Sequence, residues 1–144
     1  MRALIFLDFD GVLRRSTSNP SRFDADCLSY FESTMRLYPH VQIVITSTWR
    51  LAMSLEELRG RFSPDVAVRI VGITPENLEE ESYQRYTEIK EFLDERNLAD
   101  VCWLAIDDDA AYFPKHCSLL LTDAKVGFDA ECAVQLASIL ESFD

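Results

Sequence analysis

The sequence contains no apolar run approaching the ~18 residues needed to cross a bilayer, so a membrane-spanning helix is excluded. Metal-binding nitrogen and sulfur are scarce. There are 2 histidines, and the 4 cysteines (Cys27, Cys102, Cys117 and Cys132) stand far apart with no CxxC pair. That spacing argues against both a zinc site and a disulfide framework. Cys102 and Cys117 lie inside apolar runs and read as small buried hydrophobes. Basic residues are in deficit, 14 Lys and Arg against 25 Asp and Glu, for a net charge of −11. No basic stripe of the kind that nucleic-acid binders present is visible, so nucleic acid is not an expected partner of the isolated chain. Repeats and low-complexity segments are absent. The opening MRALIFLDFD does not read as a secretory signal, because its apolar run is short, meets an acid early and lacks a small-residue cleavage site. A reducing, cytoplasmic setting is the expectation.

What is present is a globular pattern, 144 residues at 48% hydrophobic, which fits one domain with one core over 1–144. Short apolar runs alternate with helical periods. ALIFLD, VQIVIT, DVAVRIVGI, VCWLAI and CSLLL read as five strands in order. Leu28, Phe31 and Met35 make a helical stripe within 24–37, and Ser54 with Glu57 has the form of a capping box. Tyr86, Ile89, Phe92 and Leu93 share one face of a helix running to about Asn97, and Ala133, Leu136, Ala137 and Leu140 line a last one. Most of the acids between Glu76 and Asp100 read as a solvated helix face and the loop before it. Apolar strands alternating with amphipathic helices imply a three-layer α/β/α sandwich, Rossmann-like, around a mainly parallel five-stranded sheet.

Such sheets bind ligands at the carboxyl ends of their strands. Asp8 and Asp10 fall just past the first strand, Thr46 and Ser47 at the end of the second, and Asp107, Asp108 and Asp109 at the end of the fourth. Carboxylates converging on one rim need a cation or must protonate. Without clustered His or Cys the ligands are all oxygens, which favours Mg²⁺ over zinc. Asp8 is placed to act as a nucleophile and Asp10 to move a proton. A hydroxyl from Thr46 or Ser47 and the cation of Arg85 would hold phosphoryl oxygens, and Gly11 permits a sharp turn. Taken singly each feature has a plainer reading, such as a helix cap at 107–109 or a surface arginine at 85. Their arrangement on successive strand ends is what points to chemistry.

These residues resemble the motifs of the haloacid dehalogenase (HAD) superfamily of phosphohydrolases. DFDGV is similar to its first motif, IVITSTWR to its second, and VCWLAIDDD to its fourth. More narrowly, ITSTWR, RYTEIKEFL and LLLTDAKVG resemble a HAD subgroup related to RNA-repair proteins. The resemblance implies a phospho-aspartate formed on Asp8, then hydrolysed by water that Asp10 activates. It implies a metal held by Asp8, Asp10, Asp107 and Asp108, with Asp108 reaching it most directly. It gives Arg85 the role of the third-motif cation, with Lys90 as fallback, and prefers Ser47 to Thr46 as the second-motif hydroxyl. Trp49 and Asp123 match the subgroup pattern without an assigned role. Asp10 bears against dehalogenation, since that branch lacks it. The segments 13–23 and 74–82 are too short for a folded cap, so the expectation is a single cap-less domain acting on a phosphate monoester, small or macromolecular. A catalytically weak binding module and a nucleic-acid end-processing phosphatase are the alternatives.

Overall fold

The computed structural model describes residues 3–78 and 83–143. Of the acidic loop at 74–82, residues 79–82 therefore lie outside the described residues. Five strands, β1 (Ala3–Leu7), β2 (Gln42–Ile45), β3 (Ile70–Ile73), β4 (Cys102–Asp107) and β5 (Leu119–Leu121), form one sheet in the order β3-β2-β1-β4-β5. Every pairing is parallel. The helices are α1 (Ala25–Arg36), α2 (Leu55–Arg59), α3 (Pro64–Ala67), α4 (Gln84–Glu95) and α5 (Ala130–Ser142). This is the expected Rossmann-like sandwich. Among the described residues no helix is long and apolar enough to cross a membrane.

The strands are apolar throughout because both faces of the sheet are covered. Ala3, Ile5 and Leu7 of β1 join Ile43, Ile45, Leu104 and Ile106 against Phe31 and Met35 of α1 and Leu136 and Leu140 of α5. The alternate residues Leu4 and Phe6 join Val44 and Ala105 against Ile89, Phe92 and Leu93 of α4. The period of two thus divides each strand between two cores. Cys27 and Cys132, rather than Cys102 and Cys117, are the buried cysteines, because Cys102 begins β4 and Cys117 lies in the loop before β5.

One other sequence expectation needs correction. The run DVAVRIVGI is a strand only from Ile70; Pro64–Ala67 is a helical turn. Pro64 sits where a helix needs no N–H. Glu32 of α1 accepts from the Ser63 backbone N–H at 2.8 Å and its hydroxyl at 2.7 Å, which docks the turn and leaves Val66 in the core. Tertiary contacts override the β-rich composition. Among the described residues the acidic stretch is exposed at Glu76, Asp94, Glu95 and Asp100, while Glu88 on α4 is 1% exposed. The capping box behaves as expected: Ser54 and Glu57 exchange side chain-to-backbone hydrogen bonds, both at 3.1 Å.

Candidate active site

In-register parallel pairing puts the first residue after each apolar run on one rim. Leu7 pairs with Ile45 on one side and Ile106 on the other. The ladder then runs one step further: the Asp8 N–H donates to the Ile106 carbonyl, Thr46 N–H to Leu7 and Thr122 N–H to Asp107. Asp8 is therefore held between Thr46 and Asp107 by main-chain bonds. The chain turns from β1 toward β2 and β3, then returns to the other side for β4, so this rim lies at the switch in strand order.

Arg85, at the second position of α4, reaches down onto that point. Its Nη1 lies 3.2 Å from Asp8 Oδ1 and 3.3 Å from Asp107 Oδ2, and it donates to Thr46 Oγ1 at 3.3 Å. The guanidinium carbon also sits 5.4 Å from the centre of the Tyr112 ring. Asp8 is 3% exposed and Asp107 1%. Burial pushes Asp8 up to about 6, with Arg85 opposing and Asp108 adding to the rise. Burial likewise pushes Asp107 up to about 8, reinforced by Asp8 and opposed by Arg85. Burial works to lower the pKa of Arg85, but the carboxylates of Asp8 and Asp107 outweigh it and raise the value. The site holds more negative charge than its one guanidinium neutralises.

Asp108 completes the group, and Asp8, Asp107 and Asp108 each offer an oxygen within 4.8 Å of the others. Hard oxygen donors, two of them buried and short of positive charge, fit a divalent cation of the Mg²⁺ type. Gly11 makes this approach possible. Its φ is +81°, a left-handed value, and a Cβ there would collide with the Asp108 carboxylate. Thr122 fixes the turn by donating its hydroxyl to the Gly11 carbonyl at 2.8 Å. Asp109 instead caps the short 3₁₀ turn at Ala110–Tyr112, accepting from the Ala111 N–H at 3.0 Å. The cap reading of DDD thus holds for one acid of the three.

The other candidates divide. The Asp10 carboxylate stands apart from the three-oxygen group: its Oδ1 accepts from Arg14 Nε at 2.7 Å and its Oδ2 from Trp49 Nε1 at 3.3 Å. Ser47 is fully buried and accepts from the Trp49 N–H at 3.3 Å, while the Thr46 hydroxyl is the one facing Arg85. Lys90 is exposed on α4, and its charge is felt by Cys117. Asp123 lies in the loop after β5, where its carboxylate accepts from the Lys125 N–H.

Compared with known families, residues 4–133 match the one described as the HAD domain in Swiss Army Knife RNA repair proteins. The chain belongs to that family. Searches of curated proteins and of solved structures each find no match.

This HAD domain also uses residues that sequence reasoning passed over. Arg50, 6% exposed, pairs with Glu88 at 3.1 Å. It also donates to the carbonyls of Thr46 at 2.9 Å and Ser47 at 3.2 Å, and to those of Thr74 at 2.8 Å and Pro75 at 3.2 Å. One guanidinium thereby ties the exits of β2 and β3 to α4, the helix that carries Arg85. Arg14, which clamps Asp10, is the other. Its spacing of four from Asp10 would signal a pair on a helix, but the segment is a series of turns.

Proposed function

We propose that this HAD domain is a cap-less, Mg²⁺-dependent phosphatase that hydrolyses phosphate monoesters through a phospho-aspartate. The observation that carries the reading is the convergence of Asp8, Asp107 and Asp108 around the Arg85 side of the rim. Mg²⁺ held by these three carboxylates would supply positive charge to the phosphoryl oxygens. Arg85 and the Thr46 hydroxyl hold the remaining oxygens and orient the phosphorus toward Asp8.

A carboxylate oxygen of Asp8 forms a bond to phosphorus as the ester P–O bond breaks, and Asp10 gives a proton to the departing oxygen. Water then attacks the phosphorus, Asp10 takes its proton, and the P–O bond to Asp8 breaks, releasing phosphate and restoring Asp8 as a carboxylate and Asp10 as an acid. Arg14 and Trp49 hold Asp10 in one orientation. Burial of Asp8 and Asp107 excludes bulk water from the charges that must act. The test is turnover of an aryl phosphate by the purified protein with Mg²⁺, abolished by EDTA. Full activity in EDTA would remove the metal assignment. The family's RNA-repair setting favours a second reading, in which the ester is a nucleic-acid end. A 3′-phosphorylated oligonucleotide in the same assay decides it; no phosphate release there removes that reading.

A further inference from the structure

We propose that the groove beside Trp49 is the leaving-group subsite, and that it takes a planar aromatic group attached to the phosphate; this rests on the phosphatase reading above. The groove has a volume of about 310 Å³ and is lined by Pro20, Ser21, Thr48, Trp49, Met53 and Arg61, together with the exposed Ala52. It joins the reacting centre through one side chain. Trp49 is part of the groove wall, and its indole N–H donates to Asp10 Oδ2 at 3.3 Å. Asp10 is the group that protonates the departing oxygen, so that oxygen must come within hydrogen-bond reach of Asp10. Arg85, Asp107 and Asp108 gather around Asp8, whereas the Asp10 carboxylate is turned to Trp49. The rest of the ester is therefore directed along Trp49 and into this groove.

The lining says what the groove accepts. Pro20, Ala52, the Met53 thioether and the indole present apolar, polarisable surface, which suits the face or edge of a flat ring. The Arg61 guanidinium carbon lies 5.6 Å from the centre of the Trp49 ring, and Arg61 donates to the Ser21 carbonyl at 3.0 Å. A guanidinium held over one aromatic ring adds cation–π attraction for a second beside it. The platform is rigid. Phe23 stacks on Trp49 with ring centres 5.5 Å apart, and Phe9 meets it edge-on at 5.2 Å. A fixed aromatic wall loses little entropy on binding.

The experiment isolates Trp49 as the only tryptophan by Trp103→Phe and follows its emission in Mg²⁺. The probes are benzylphosphonate and methylphosphonate, which share the phosphoryl group and differ in the ring. Benzylphosphonate is expected to bind about tenfold more tightly, a factor set by burial of one ring, and to change Trp49 emission. Met53→Ser, or Ala52→Glu at the exposed part of the lining, should bring the two dissociation constants together while leaving that of methylphosphonate within about twofold. Equal affinities in the Trp103→Phe protein, or a benzyl preference that survives both substitutions, would overturn the subsite and leave the phosphatase reading standing. Failure of both phosphonates to bind would overturn the two together.

Discussion

Arg50→Met removes a guanidinium that faces one carboxylate and four main-chain carbonyls while nearly preserving side-chain volume. The damage is electrostatic. Glu88, 1% exposed, would keep a hydrogen bond to Oε2 from the Asn77 N–H at 2.9 Å but lose its charge partner. Glu88 Oε1 already has no hydrogen-bond partner among the described residues, so nothing in place would compensate. Leaving one half of a buried ion pair costs roughly 3–5 kcal/mol. Glu88→Gln in the intact background should cost less, about 1–2 kcal/mol, since the amide keeps an acceptor and Arg50 keeps its carbonyls. The double variant should then be less damaged than the sum of the two, because the orphaned charge is gone. Urea unfolding at constant m-value measures all three. A loss below about 1 kcal/mol for Arg50→Met, or strict additivity in the cycle, would refute the claim that this pair joins the exits of β2 and β3 to α4.

Asp8→Asn should abolish turnover, yet raise the unfolding midpoint of the metal-free protein in a thermal melt, because it removes a buried charge that burial disfavours; an active variant would disprove the nucleophile. The folded-state pKa values of Asp8 and Asp107 lie above the ordinary carboxylate value, so the folded form holds these protons more tightly than the unfolded chain. Their contribution to stability is complete below about pH 4 and is lost as pH rises through about 6 and then about 8. Metal-free protein should therefore lose at least about 1 kcal/mol between about pH 5 and pH 8, and Mg²⁺ should restore it, most strongly at the alkaline end. Denaturation curves across that range check the sign, and a flat or rising profile without metal would contradict it. Gly11→Ala should cost more than about 1 kcal/mol and weaken Mg²⁺ binding, because both its left-handed φ and the space taken by the Asp108 carboxylate exclude a Cβ. Calorimetric titration with Mg²⁺ measures the second effect.

The rim was readable because of how a parallel sheet is built. When strands pair in register, the first polar residue after each apolar run arrives at the same edge, so IFLD, VIT and LAID announce neighbours that lie far apart in the chain. The same logic failed at 65–69. There the composition is β-rich, but the decisive partners, Glu32 and Ser63, belong to another helix and a loop, and no local pattern records them.

Cations were harder to read than acids for a related reason. An acid at a strand end is placed by the strand, whereas a long arginine side chain is placed by whatever surrounds its tip. Arg85 could be suggested as a cation for the rim but not placed there, since nothing in RYTEIKEFL fixes where the tip of its side chain arrives. Arg50 stands three residues after Ser47 in plain view, yet its partners at 74, 75 and 88 come from two other segments. Arg14 needed the turns of 11–14 to fold back before it could meet Asp10. The carboxylates thus define where the chemistry sits, and three arginines from three different segments determine whether those carboxylates stay charged, oriented and close together. A family motif read only as its acids leaves out the counter-charges that let them coexist.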